Sequence, residues 1–79
     1  LNGEYEVIEA EILESSELIN KELKNAELPD EIRVGAILRD NKFILPSSKY
    51  IFQKEDTVVL LAKRDQLPLV ENLFRISSV

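Results

Sequence analysis

The chain has 79 residues, with 10 Lys and Arg side chains against 15 Asp and Glu, so its net charge is −5. This length allows one small domain, because two domains would each be too small to fold without disulfides or metals. Cysteine and histidine are absent, which excludes disulfides, thiolate nucleophiles and the commonest ligands of transition metals. The acidic balance argues against binding to nucleic acid or to anionic lipid. We therefore expect one globular domain that is not an enzyme and holds no metal or cofactor of its own.

The first half of the chain predicts a strand, a helix and a second strand. Apolar and polar residues alternate from Tyr5 to Leu13, which is typical of a half-buried strand. Ser16 is a good helix N-cap, and the apolar spacing after it predicts a helix from Glu17 to Ala26. Alternation from Ile32 to Arg39 predicts the second strand. Uninterrupted alternation there gives one face with Ile32, Val34, Ala36 and Leu38, and another with Arg33, Gly35, Ile37 and Arg39.

The second half predicts two further strands and a closing helix. Asp40-Asn41 is a plausible hairpin turn, since both residues tolerate positive φ, and Lys42 to Leu45 returns as a short strand. A brief extended piece follows at Tyr50–Phe52, and Gln53–Asp56 is a polar turn. The apolar, β-branched run from Thr57 to Lys63 predicts a central strand covered on both faces. Asp65 is expected to cap a last helix from Gln66 to Arg75.

This order of elements predicts an α+β two-layer sandwich. Two helices would cover one face of a mixed or antiparallel sheet of four to five strands, in the order β-α-β-β-(β)-β-α. The opposite face, with Val7, Leu13 and Ile37, would stay partly exposed in a monomer, and we therefore expect a homodimer. The first residue is Leu rather than Met. We thus expect residues 1–79 to be one domain of a longer protein, with residues 1–4 as a leader or linker.

Few residues have the chemistry of a site. The serines have no histidine to activate them. The glutamates at positions 4, 6, 9 and 11 divide between two strand faces, which favours a solvated surface over a cation site. Arg33 and Arg39 could recognise a phosphate or carboxylate, or could form a salt bridge with Glu9 or Glu11 on a neighbouring strand. Pro46 could simply end a strand at the edge of the sheet.

Taken in order, five segments resemble the RCK C-terminal (TrkA-C) domain family: Val7–Ile12, Ser16–Leu23, Ile32–Asp40, Ile44–Pro46 and Glu55–Ala62. The most specific of them is the stretch from Val34 to Asp40, with Pro46 shortly after. Three residues depart from the usual pattern, because Asn20, Asn41 and Glu55 stand where the family often has glycine.

The resemblance implies a cytoplasmic regulatory domain of a potassium or other cation transport system. Such domains follow a nucleotide-binding Rossmann-type domain or are fused to a membrane transporter, and they lie at the inner face of the membrane through that transporter. They pair with themselves, and in some members a small effector such as cyclic di-AMP binds between the two copies. Carried over by position, the residues that would line such a cleft are Val34, Ile37, Arg39 and Pro46.

Two other classes of function stay open at this point. One is a sensor of small molecules of the amino-acid-binding type that is unrelated to transport. The other is a dimerisation domain of an enzyme. A Gly-rich dinucleotide fingerprint upstream of the chain would favour the transport regulator, whereas a catalytic domain there would favour the enzyme.

Overall fold

The computed structural model describes residues 4–76, which form five strands, two short 3₁₀ helices and one α-helix. The first three strands are β1 (Tyr5–Ile12), β2 (Ile32–Arg39) and β3 (Lys42–Ile44), with a 3₁₀ helix at Leu23–Asn25 between β1 and β2. The remaining elements are β4 (Thr57–Lys63), a 3₁₀ helix at Arg64–Gln66, α1 (Leu67–Leu73) and β5 (Phe74–Ile76). The predicted bounds of β2 and β4 are confirmed, and β1 ends one residue earlier than predicted.

The strands form one antiparallel sheet in the order β3-β2-β4-β1-β5. Strand β4 is central, as its apolar run predicts, and every second residue from Val58 to Ala62 is buried. Its alternate residues, Val59 and Leu61 among them, are only partly buried, so within a single copy β4 is covered on one face and not, as expected, on both. The core lies on one side of the sheet, between the strands and a layer formed by α1 and the 13–31 segment that joins β1 to β2.

The predicted helix from Glu17 to Ala26 is not formed. Ser16 does behave as a cap, since its Oγ accepts a hydrogen bond from the Leu18 amide at 3.1 Å. The chain then leaves helical geometry at Asn20, whose φ is 70°. From there the backbone pairs with the loop before β4: the Asn20 amide donates to the Phe52 carbonyl at 2.8 Å, and the Leu23 amide donates to the Tyr50 carbonyl at 2.7 Å. Pairing with a distant segment takes the place of a continuous helix. The local hydrogen bonds that remain form single turns, such as that from the Lys21 amide to the Leu18 carbonyl at 2.9 Å, and the 3₁₀ helix Leu23–Asn25.

The closing helix is shorter than predicted. It spans Leu67–Leu73, after a 3₁₀ turn at Arg64–Gln66, and the residue at its N-cap is Gln66 rather than Asp65. Residues 74–76 leave the helix and pair with β1 as the edge strand β5. Phe74 stays in the core, at 2% exposure, but reaches it from a strand. The α+β class is therefore confirmed with one α-helix in the described chain, not the two predicted.

A β-bulge in β2 changes which residues face the core. The pairing with β4 shifts between Val34 and Ala36, so Gly35 is the extra residue. Val34 lies opposite Leu60 and Ile37 lies opposite Val58, and both of these β4 residues are buried. Because one residue is inserted, Val34 and Ile37 share the core side of the sheet. The expectation that Ile37 would stay on the exposed face is therefore wrong: it is fully buried, at 0% exposure.

No helix among residues 4–76 has the length and hydropathy that a membrane span requires.

Candidate functional site

Three side chains from different parts of the chain meet at one end of the sheet: Arg39, Tyr50 and Asp56. Arg39 is the last residue of β2, Asp56 precedes β4 directly, and Tyr50 lies in the 45–56 loop between β3 and β4. Arg39 Nε donates to Asp56 Oδ1 at 2.8 Å, and Nη2 donates to Oδ2 at 3.1 Å. The same Nη2 donates to the Tyr50 hydroxyl, and the Tyr50 hydroxyl donates to Asp56 Oδ2 at 2.6 Å. We call these three residues the Arg39 cluster.

Asp56 is the buried centre of the cluster, at 1% exposure. A carboxylate without water needs several donors, and a fourth hydrogen bond comes from the Gln53 amide to Oδ2 at 3.0 Å. The backbone carbonyl of Asp56 also accepts a hydrogen bond, from the Ile12 amide at 3.3 Å. Asp56 thus joins the end of β1, the end of β2 and the turn before β4.

The surroundings of the cluster shift the pKa values of all three side chains. Burial alone would raise the pKa of Asp56, but hydrogen bonds from Arg39, Tyr50 and the Gln53 amide, with the charge of Arg39, outweigh it and lower the pKa. Burial, together with the hydrogen bond to Asp56, raises the pKa of Tyr50. The hydrogen bond to Asp56 also raises the pKa of Arg39. The cluster therefore holds a carboxylate, a guanidinium and a neutral phenol at neutral pH.

The cluster fixes the 45–56 loop against the sheet. Arg39 Nη2 reaches the Ile51 carbonyl at 3.3 Å, and its Cζ lies 5.1 Å from the centre of the Tyr50 ring. The Tyr50 ring meets Phe52 edge to face, with centroids 5.9 Å apart, and Phe52 is fully buried. The same loop forms the backbone pairing with the 13–31 segment. The Arg39 cluster is thus connected to the second layer through the 45–56 loop.

The structure does not give Arg39 the partners that the sequence predicted. Its salt bridge is with Asp56, not with Glu9 or Glu11, because the bulge at Gly35 turns Arg39 toward the core side of the sheet. Arg33 precedes the bulge, and its Nε donates to the Asp30 carbonyl at 3.2 Å. Sequence reasoning missed Tyr50 and Asp56, which it assigned to an extended piece and a polar turn. The sequence signal that could have located the cluster is Asp56, an acidic residue directly before the apolar strand β4.

The four residues predicted to bind a ligand occupy different environments. Val34 lines a cavity of about 310 Å³ beside Leu23 and Leu28. Arg39 lines another cavity of about 380 Å³ with four polar residues, Asp40, Gln53, Lys54 and Glu55. Ile37 lies in the core, and Pro46 is half-buried just after β3. Their role in binding a ligand stays a prediction.

Three residues of this chain stand where the TrkA-C family often has glycine. At two of them the backbone has the positive φ that glycine favours. Asn20 has φ of 70°, and Asn41, in the hairpin between β2 and β3, has φ of 63°. Asparagine is the side chain that adopts this left-handed geometry most readily after glycine. Glu55 is not among the positive-φ residues of the described chain, so its backbone needs no glycine.

Comparison with known proteins identifies the family to which this chain is similar. The family model described as the TrkA-C domain matches residues 7–75. The Trk system potassium uptake protein TrkA of Azorhizobium caulinodans is 40% identical over 77 residues, which is 98% of this chain and 17% of that protein. The chain therefore spans less than a fifth of the length of this curated relative. The match of the family model extends through most of the chain and includes the whole Arg39 cluster, and the chain belongs to the TrkA-C domain family.

Proposed function

We propose that this chain is the regulatory domain of a potassium transport system. The observation that carries the proposal is the 40% identity to a Trk system potassium uptake protein over 98% of the chain. Family membership favours this function over the amino-acid-type sensor and over the dimerisation domain of an enzyme. The chemistry of the chain agrees, because it has no histidine or cysteine for acid–base or nucleophilic catalysis, and the role is not enzymatic.

The proposal includes the partners of the domain. It pairs with a second copy of itself, and it acts from the cytoplasmic side on a membrane cation transporter or channel subunit. A nucleotide-binding domain of Rossmann type precedes it in the same protein, and the length of the relative, of which this chain matches 17%, leaves room for such a domain.

A small anionic effector is a further part of the proposal, with cyclic di-AMP as the compound to test. Arg39 is its recognition residue, because it lines a cavity with polar side chains, whereas Val34, Ile37 and Pro46, which the resemblance would make apolar walls, do not line that cavity. Two of the guanidinium nitrogens already donate to Asp56. A phosphate would therefore compete with the Asp56 carboxylate for Arg39, and its binding would loosen the hold of the cluster on the 45–56 loop. This competition is what would connect an effector to a change in the second layer.

A domain exchange tests the transport role. The segment of the Azorhizobium TrkA protein that aligns with this chain is replaced by the chain itself, and the chimera is expressed in a strain that lacks TrkA. We expect potassium-dependent growth and rubidium uptake to return toward the level of the unaltered relative. A protein from which the aligned segment is deleted serves as the negative control.

A second chimera shows that any recovery depends on the folded domain. It carries Asp56→Ala, which leaves Arg39 without its carboxylate, and we expect its uptake to fall toward that of the deletion. A stable, correctly assembled chimera without uptake would contradict the transport role. If the protein with the aligned segment deleted restored uptake by itself, the segment would have no part in uptake.

A further inference from the structure

A second cavity, of about 440 Å³, lies where β1 ends, beside the edge strand β5 and the turn that precedes β4. Its volume is within the range of about 300–1,000 Å³ that is usual for sites of small ligands. None of the four residues that the family resemblance places in an effector cleft lines it. Lys54 belongs to its wall and also to the wall of the cavity that Arg39 lines, so the two cavities are neighbours.

Two cations and two anions line this cavity. The cations are Lys54 and Arg75, the anions are Glu11 and Glu14, and all four are exposed. Glu11 and Arg75 are register partners on β1 and β5. Within residues 4–76, however, none of the four forms an ion pair or a side-chain hydrogen bond. Opposite charges therefore surround the cavity without neutralising one another.

This balance of charges limits the class of ligand that the cavity can hold. A phosphate that approaches the two cations is repelled by the two carboxylates, and a metal ion that approaches the carboxylates is repelled by the two cations. A neutral molecule that carries one positive and one negative group satisfies both sets of side chains. The lining therefore favours a zwitterion over an anion or a cation.

Apolar side chains complete the cavity. Ile12, the last residue of β1, is 4% exposed, and Leu13 after it is half-buried. An aliphatic group of a ligand would cover the remaining apolar surface of Leu13 and remove it from water. Ser15 adds a hydroxyl that can donate or accept a hydrogen bond.

We propose that this cavity binds a free α-amino acid with an aliphatic side chain, such as leucine. The carboxylate of the ligand lies against Arg75 and Lys54, its ammonium lies against Glu11 and Glu14, and its side chain lies against Leu13. The ligand differs in charge from the anionic effector proposed at Arg39. The inference depends neither on that effector nor on the transport role, because it rests on the lining of this cavity alone.

The cavity also adjoins Asp56, the buried centre of the Arg39 cluster. The Ile12 amide donates to the Asp56 carbonyl at 3.3 Å, and the turn that contains Lys54 is held by the Gln53 amide, which donates to Asp56 Oδ2 at 3.0 Å. The backbone around the cavity is thus fixed by hydrogen bonds, and its amides are suitable reporters of a bound ligand.

Titration of the chain with L-leucine at millimolar concentrations, followed by the amide NMR resonances of Leu13, Ser15 and Lys54, tests the site. We expect these resonances to shift and to saturate. N-acetylleucine lacks the ammonium and leucinamide lacks the carboxylate, so each should bind about fivefold or more weakly than leucine. Equal binding of N-acetylleucine would show an anion site and equal binding of leucinamide a cation site. Either result, or no saturable shift with leucine, would overturn the proposal.

Two variants assign the charges of the ligand to their partners. Glu14→Gln should weaken leucine binding about fivefold without weakening that of N-acetylleucine, which has no ammonium to lose. Arg75→Gln should weaken leucine binding similarly without weakening that of leucinamide, which has no carboxylate. Glu9→Gln is the matched control, because it makes the same change at an exposed glutamate of β1 that does not line the cavity. Circular dichroism checks that each variant is folded, and equal weakening of leucine binding by Glu9→Gln and Glu14→Gln would contradict the site.

Discussion

Arg39 and Asp56, 17 positions apart, are held by a two-point hydrogen bond of 2.8 and 3.1 Å between guanidinium and carboxylate. The arginine side chain is 30% exposed, whereas the aspartate side chain is 1% exposed. The pair thus consists of a buried anion and a half-buried cation. Forming such a pair contributes little net stability, but removing one partner is costly because a buried charge is left uncompensated.

Arg39→Ala should therefore destabilise the domain as well as alter any ligand site. We expect a loss of about 2–3 kcal/mol in the free energy of unfolding, at the lower end for a buried pair because Arg39 is partly exposed and Tyr50 still donates to Asp56. Urea unfolding followed by circular dichroism measures it. Arg33→Ala is the control and should cost less than about 0.5 kcal/mol, measured where the protein is monomeric. Equal effects at the two positions would show that Asp56 does not depend on Arg39.

The pH dependence of the free energy of unfolding should report the lowered pKa of Asp56. Its pKa is lower in the folded protein than in the unfolded chain, so the unfolded chain binds the proton first. The stabilisation is fully present above the ordinary aspartate pKa of about 3.9 and is lost as the pH falls from there through the lower folded pKa. Wild type and Asp56→Asn should differ by about 1–3 kcal/mol at pH 7, and the difference should shrink below about pH 4. A difference that stays constant down to the lowest accessible pH would contradict the lowered pKa.

Substitutions at Asn41 test the left-handed hairpin. At φ of 63°, Asn41→Gly should be neutral or stabilising by up to about 1 kcal/mol, whereas Asn41→Ala should destabilise by about 1 kcal/mol. Thermal unfolding of the three proteins gives the order Gly, Asn, Ala from most to least stable. If the Asn41→Ala variant were at least as stable as the wild type, the turn would have another conformation in solution.

Ile37→Ala tests the bulge in β2. Because the bulge places Ile37 in the core, at 0% exposure, its truncation should cost about 2–5 kcal/mol. Val7→Ala, at a position 71% exposed, is the control and should cost less than about 0.5 kcal/mol under monomeric conditions. A strand without the bulge would turn Ile37 outward, and its truncation would then cost no more than the control.

Titration calorimetry with cyclic di-AMP tests the proposed effector site, with adenosine monophosphate as the comparison ligand. Arg39→Lys keeps the charge but loses the two-point geometry, and it should weaken binding about tenfold or more. No heat with the wild type would remove cyclic di-AMP as the effector. Unchanged affinity in Arg39→Lys, with the fold intact, would remove Arg39 from the site.

Residue pattern alone determined most of the sheet. The alternation in Tyr5–Ile12 and Ile32–Arg39, and the apolar, β-branched run Thr57–Lys63, predict three strands whose bounds agree with the structure to within a residue. Alternation is a local property, because successive side chains of a strand point to opposite faces. The identities and spacing of residues within these segments were also enough for the resemblance to the TrkA-C family.

The tertiary structure decided what depends on distant partners. The segment from Glu17 to Ala26 has helical spacing, but its Asn20, Leu23 and Lys24 amides bond to the 45–56 loop, which no local pattern contains. One extra residue at Gly35 reverses the faces of β2 and moves Ile37 and Arg39 to the core side. The partner of Arg39 is therefore Asp56, a residue that the sequence places in a polar turn and that only folding brings within 2.8 Å of the guanidinium.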